Sequence, residues 1–174
     1  MKKKDILISL AIIAAAVLTL FFYSHRTGYV GIDAGGADAI LKIQNNWLVH
    51  ESITSGAEPA AIGARVYRPQ FLSLSMKQDR HTWRIESRGP WGNLSKIKVR
   101  NNEATVIRLG PPFLIKPDVN RNGSIISIGY TIIGQAGEQY HDFIRKNNRI
   151  VTGAKIKIVD ETGSILESGS FKYG

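Results

Sequence analysis

The chain has 174 residues, no cysteine and a formal net charge of +9 at pH 7. Without cysteine it cannot form disulfides or thiolate metal sites. Hydrophobic residues make up 43% of the chain and are spread along it, which excludes a disordered tail. The length fits one domain of ordinary size together with a short leading segment.

The leading segment is an 18-residue apolar run, residues 6–23, which contains no charge, proline or glycine. As a helix it would be about 27 Å long, close to the hydrocarbon thickness of a bilayer. Lys2, Lys3 and Lys4 precede it, and the positive-inside bias places these lysines in the cytoplasm. We therefore predict an uncleaved single-pass membrane anchor in residues 1–26. The rest of the chain is then extracytoplasmic, either periplasmic or at the cell surface.

A cleaved secretory signal is the alternative for this segment. Such signals normally carry an apolar core of ~7–15 residues with a small-residue cleavage site close behind it. Here the run is longer and ends in Phe21, Phe22 and Tyr23, and the nearest small-x-small match, residues 37–39, lies well downstream. The pattern favours the uncleaved anchor.

Beyond the anchor, residues 27–38 contain four glycines in twelve positions, which is typical of a pliable tether. We expect a β domain in residues 39–174. Residues 39–49 fit a first strand or a short helix, and residues 52–64, rich in Ala, Gly and Pro, predict a loop.

Alternating apolar and polar residues predict a hairpin at residues 72–85. Apolar side chains at positions 72, 74 and 76 alternate with Ser73, Ser75 and Lys77. The same two-residue repeat returns at positions 81, 83 and 85, after a polar turn at 78–80. This repeat is that of strands with one buried face.

A second hairpin is predicted at residues 97–109, because the Asn101-Asn102 pair separates two alternating segments and asparagine tolerates the positive φ of tight turns. Gly110, Pro111 and Pro112 end this run, so the chain should pass there to another sheet or cross an edge. Further along, a turn is expected at 118–123, an apolar run at 125–133, a polar loop at 134–148 and a closing hairpin at 156–173.

Seven or eight short strands separated by frequent turn signals predict a mostly β domain, an antiparallel β-sandwich of immunoglobulin-like kind. The closing segment reads Ile156-Lys157-Ile158-Val159-Asp160-Glu161-Thr162-Gly163-Ser164-Ile165-Leu166-Glu167-Ser168-Gly169-Ser170-Phe171-Lys172-Tyr173-Gly174. It resembles the last hairpin of carboxypeptidase-regulatory-like and related bacterial immunoglobulin-like sandwich modules. The resemblance covers barely twenty residues, and it implies a fold and no activity.

The exported part is basic, with 19 Lys and Arg against 13 Asp and Glu from residue 27 onward. This excess favours an anionic partner, such as an envelope polymer or an acidic protein surface, and the topology makes nucleic acid unexpected. The candidate contact residues lie on the non-core phase of neighbouring predicted strands, and we expect them to share one sheet face. They are Arg84, Arg88, Lys96, Lys98 and Arg100.

Trp91 lies in a Gly-Pro-Trp-Gly loop. An exposed Trp there could contact a partner protein or stack on a sugar ring, which makes a carbohydrate-binding module an alternative function. More often such a ring folds back over the end of the core, and we favour burial.

Residues 135–142 form the densest polar cluster, and an envelope hydrolase that uses Glu138, His141 and Asp142 of this 134–142 loop is a further alternative. The chain has neither the metalloprotease pair of histidines nor a nucleophile elbow, so we expect no catalytic residue and no cofactor. The favoured interpretation is a structural loop, which the hydroxyl of Tyr140 would pin to the sandwich as corner tyrosines do in immunoglobulin-like folds.

Asp118, Asn120 and Asn122 match the first half of a calcium loop, but Gly129 stands where the bidentate Glu should be. An ordinary turn is therefore favoured over a metal site. The sequence as a whole predicts a membrane-anchored, non-catalytic envelope protein that binds or positions a partner.

Overall fold

A computed structural model describes residues 12–15, 26–46, 49–56, 58–141, 143–151 and 153–171. The described part is mostly β, as the sequence predicts, with one 3-10 helix at Gly92–Ser95. The strands, in chain order, are β1 (Thr27–Asp33), β2 (Asp38–Gln44), β3 (His50–Thr54), β4 (Ala60–Gly63), β5 (Val66–Gln78), β6 (His81–Ser87), β7 (Ile97–Lys98), β8 (Ala104–Arg108), β9 (Leu114–Asn122), β10 (Ile125–Ile133), β11 (Gln139–Tyr140), β12 (Arg145–Lys146), β13 (Arg149–Ile150), β14 (Lys155–Val159) and β15 (Ile165–Ser170).

The described strands form four sheets. The largest runs in the order β13-β12-β6-β5-β2-β3, with β7 paired to β5 outside this order. Two three-stranded sheets have the orders β4-β1-β8 and β11-β10-β9, and β14 pairs with β15. The pairing of β1 with β8 is parallel, and the other pairings among the described strands are antiparallel.

The hydrophobic core lies between the largest sheet and the sheet that contains β1. Strands β2 and β5 contribute Leu41 and Leu72, which are fully buried, and β1 contributes Val30. Each of these strands buries every second residue over much of its length, so the period-two pattern in the sequence matches the face that packs inward. The two sheets therefore share one cluster of buried side chains.

The first predicted hairpin is confirmed. Strand β5 pairs with β6 from Leu72 to Gln78, and the chain reverses at Asp79 and Arg80, both at positive φ. Ile85 of β6 is buried opposite Leu74. Residues 39–49, expected to form a strand or a short helix, contain most of strand β2.

The expectation of a tether at residues 27–38 is wrong, because strand β1 occupies most of it and pairs with both β4 and β8. Gly28 allows the close approach of this strand to its neighbour: a Cβ added there would overlap the Arg100 carbonyl oxygen and lie 2.7 Å from Cγ1 of Val99. Gly35 and Gly36 form the turn into β2 at positive φ. The glycines thus serve strand packing and a tight turn, and they do not form a flexible linker.

Two other local expectations are also corrected. Residues 52–64, predicted as a loop, contain most of β3 and all of β4, because Ile53 and Ile62 supply buried anchors among small residues. Residues 118–122, predicted as a turn, continue strand β9, and the chain reverses at Gly123 and Ser124.

The second predicted hairpin is wrong in its pairing, although its turn exists. Asn102 has a φ of 57°, but the strands on either side of it enter different sheets. Strand β7 pairs with β5, and β8 runs parallel to β1. The backbone of Asn102 donates to the Thr27 carbonyl, and Tyr29 donates to the Glu103 carbonyl, so β1 takes the position that β7 would occupy in a hairpin.

The predicted anchor, residues 6–23, lies outside the described residues except for 12–15, which are helical. Within the ranges that the structure describes, no helix is long and apolar enough to cross a bilayer. The anchor remains a prediction from the sequence.

Candidate anion-binding cleft

The five cationic residues expected to share one face lie in two separate groups. Arg84 lies on β6 opposite Ser75, whereas Lys98 lies on β7 opposite Val66. These partners are nine positions apart on β5, which at ~3.3 Å per residue separates Arg84 from Lys98 by roughly 30 Å. The expectation of a single basic patch is therefore wrong, because β7 pairs with the end of β5 that lies away from Arg84.

Arg88 belongs to the first group, on the outer face of the largest sheet. Its guanidinium carbon lies 5.3 Å from the ring centroid of Phe71, and the ammonium of Lys42 lies 5.6 Å from the same centroid. Both cations are thus engaged with one aromatic ring.

Two members of the second group, Lys96 and Lys98, line a cleft between β7 and β8, whereas Arg100 is not among its lining residues. Lys96 and Lys98 alternate with the buried Ile97, so both point outward on one side, and Arg108 projects from β8. The cleft has a volume of about 340 Å³. Asn93, Thr105 and Gln135 add polar side chains to its lining. None of the described residues that line it is a carboxylate.

The ion pairs around the cleft are few. Arg108 lies 3.8 Å from Asp33 and Arg100 lies 3.2 Å from Glu103, in both cases between exposed side chains. Pairs of this kind are screened by water and hold their partners weakly. Lys96 and Lys98 form no ion pair with any described residue. The cleft therefore keeps a net positive charge.

Strand β8, on the other side of the cleft, is the last strand of its sheet. Among the described strands it pairs with β1 alone, through the backbone of Ala104 to Arg108. The other edge of β8 faces the cleft. Its backbone N–H and C=O groups can form further hydrogen bonds to a ligand there.

Trp91 is half-buried and packs against the core. Its indole folds back over Gly89, where an added Cβ would lie 3.0 Å from Nε1 of the ring. Gly89 has a φ of 103°, which positions the loop for this contact. The ring therefore does not form a fully exposed platform.

Glu138 is fully buried, and its carboxyl group is used inside the protein. Oε1 accepts hydrogen bonds from the Gly110 amide at 2.6 Å and from the Tyr140 hydroxyl at 2.8 Å. Oε2 accepts from the Ala136 amide at 2.9 Å. A side chain at position 134 would overlap this carboxyl group, which explains glycine there.

His141 is exposed and contacts the Gln139 amide oxygen at 3.1 Å, so it points away from the buried carboxyl group. Asp142 lies outside the described residues. The structure thus does not bring Glu138 and His141 together. Burial and the adjacent Glu138 raise the pKa of Tyr140 above its ordinary value, so the phenol stays a hydrogen-bond donor.

Asp118, Asn120 and Asn122 lie on the extended strand β9 and are all exposed. A calcium loop bends its oxygen ligands around one ion, which an extended strand with its side chains in solvent does not do. No group of three or more potential metal-ligating side chains occurs among the described residues.

Comparison with known proteins gives no relative: no protein family, no characterised protein and no solved structure matches the chain. Sequence reasoning found Lys96 and Lys98 but missed Arg108. The alternation of Arg108 with the buried Ile107 indicates that Arg108 is exposed. The predicted hairpin of β7 with β8 leaves no cleft between these strands, so the sequence does not indicate the site.

Proposed function

We propose that the β domain is a non-catalytic binding domain for an anionic polymer of the cell envelope, which it binds in the cleft between β7 and β8. The observation that carries this proposal is the grouping of Lys96, Lys98 and Arg108 around a cleft with no carboxylate among its described lining residues. An open, shallow cleft suits a chain that passes across it better than a small enclosed substrate. Clustered cations also raise the local concentration of such a polymer.

The proposal also includes the membrane anchor and the immunoglobulin-like form of the β domain. Residues 6–23 would hold the domain at the outer side of a membrane, as their length and the preceding lysines favour. An immunoglobulin-like sandwich is supported by the shared core, to which Leu41 and Leu72 of one sheet and Val30 of another contribute.

The two alternative functions have less support. The carbohydrate-binding module relied on an exposed Trp91, which is half-buried. The hydrolase relied on Glu138 together with His141, but the carboxyl group of Glu138 already accepts three hydrogen bonds in the interior.

The test uses the full chain in nanodiscs of neutral lipid and beads that carry dextran sulfate, a polyanionic probe. Reversing three charges in Lys96→Glu/Lys98→Glu/Arg108→Glu should reduce capture at least tenfold, because each reversal turns an attraction into a repulsion. Uncharged dextran beads should capture neither protein.

The matched control reverses Lys116, Lys155 and Lys157, which are all exposed on the β9–β10 and β14–β15 hairpins. This variant has the same net charge as the first and should keep most of its binding. An equal loss in both variants would show that net charge alone governs capture, and the cleft would lose its role.

A further inference from the structure

A second concave site lies at the opposite end of the largest sheet, between the β5–β6 hairpin and the segments that carry Phe113 and Ile144. Its volume is about 180 Å³, and its lining is almost entirely apolar. The side chains that define it are Leu74, Met76, Trp83, Ile85, Phe113 and Ile132. Met76 and Phe113 are exposed and mark its mouth.

The size of the cavity limits its occupant. An apolar cavity of ~150 Å³ lined by aliphatic and aromatic side chains takes up benzene. A cavity of about 180 Å³ therefore fits roughly six carbon atoms, as a short alkyl chain or one ring. The cavity is too small for a helix or strand of another domain, and it is large enough for the apolar end of a small molecule.

A cation lies over one of the aromatic rings that line this cavity, although Lys146 itself is not among the lining residues. Strand β12 pairs with β6 so that Lys146 lies opposite Trp83, and the Lys146 ammonium is 5.1 Å from the centroid of the indole ring. Arg84 does line the cavity, and it pairs with Arg145 on the same two strands. No aspartate or glutamate is among the described lining residues. The apolar space is thus bordered by positive charge.

We propose that this cavity binds a small amphipathic anion, with an alkyl or aryl group of about six carbons inside and a carboxylate or phosphate group near Lys146. The apolar lining stabilises the bound alkyl or aryl group by removing it from water. Lys146 selects the anion over a neutral or cationic head group. The site is distinct from the cleft between β7 and β8, because its lining shares no residue with that cleft.

The test compares three probes with the same tail, hexanoate, 1-hexanol and hexylammonium, by ligand-observed NMR on the full chain in nanodiscs of neutral lipid. Empty nanodiscs give the background. Hexanoate should bind about two- to fivefold more tightly than 1-hexanol, the range expected for a partly solvated charge pair, and hexylammonium should bind most weakly. Equal affinity for hexanoate and hexylammonium overturns the proposal.

Two kinds of variant test separately how the tail and the head group of the ligand contribute to binding. Lys146→Gln should remove the preference for hexanoate over 1-hexanol while keeping 1-hexanol binding, and Lys157→Gln, at an exposed site on β14, should change neither. Ala37→Leu adds a side chain into the cavity and should abolish binding of all three probes.

Should Ala37→Leu fail to fold, Met76→Trp at the exposed mouth blocks entry with less demand on the core. Binding that survives a folded blocking variant contradicts the proposal. Absence of binding for all three probes also contradicts it.

Discussion

The hydroxyl of Tyr140 donates a hydrogen bond of 2.8 Å to Oε1 of Glu138, and both side chains are buried. The same carboxyl group also accepts hydrogen bonds from the backbone amides of Gly110 and Ala136. It therefore joins the loop 134–140 to the segment that follows β8. Ser87 adds to this junction, since its hydroxyl donates to the Gln139 carbonyl at 2.5 Å.

Replacing Glu138 with alanine should lower the free energy of unfolding by about 3–5 kcal/mol, because three buried donors lose their acceptor. Glu138→Gln should cost less, about 1–2 kcal/mol, since one oxygen remains to accept two of the bonds. Chemical denaturation measures both. Glu161→Ala, at an exposed turn, should change stability by less than about 0.5 kcal/mol. A Glu138→Ala protein as stable as this control would show that the carboxyl group does not hold the loop.

The raised pKa of Tyr140 predicts a loss of stability at high pH. The unfolded chain releases the phenolic proton near pH 10, whereas the folded chain keeps it, so above that pH the unfolded state binds fewer protons and is favoured. The contribution is fully present below about pH 10 and declines as the pH rises toward the folded-state pKa. Tyr67, whose pKa is also raised chiefly by burial, acts in the same direction.

The measurement is the free energy of unfolding between pH 9 and pH 11. Tyr140→Phe should be less stable at neutral pH by about 1–2 kcal/mol and should show a shallower decline above pH 10, by up to about 1.4 kcal/mol per pH unit. Equal slopes for the two proteins would mean that the Tyr140 phenol ionises freely in the folded state.

Gly28→Ala should destabilise the protein by about 1–3 kcal/mol, because the new Cβ meets the Arg100 carbonyl and the Val99 side chain. Gly129→Ala is the matched control, since a Cβ there meets Asp118 at an ordinary 3.9 Å. Thermal unfolding compares the two variants. Similar melting temperatures for both would contradict the close approach of β1 to residues 99–100.

The β5–β6 hairpin is predictable from the sequence because its two strands are neighbours and both alternate regularly about a short turn. The pairing of β8 with β1 is not, because it joins residues about 75 positions apart, and local alternation says nothing about which distant strand will be the neighbour. For the same reason the sequence indicates the exposed phase of Lys96 and Lys98, but not that Arg108 lies across the cleft from them.

Glu138 illustrates a different limit. In the sequence it belongs to a polar loop, for which a structural role is favoured and a hydrolase site is the alternative, and its burial is not expected because glutamate is seldom fully buried. The three donors that stabilise it in the interior come from positions 110, 136 and 140, and only the folded chain brings position 110 within reach. Tyr140 is more predictable, because a tyrosine that pins this loop is expected from the sequence, and its hydroxyl does so through Glu138.

The most direct test of binding in the cleft is amide hydrogen exchange of the full chain in nanodiscs, with and without soluble dextran sulfate. Slower exchange at residues 96–98 and 104–108 is predicted, because the polymer would cover Lys96, Lys98 and the cleft-side edge of β8. Protection confined to residues 84–88 and 145–149, or no protection in any part of the β domain, would contradict the account.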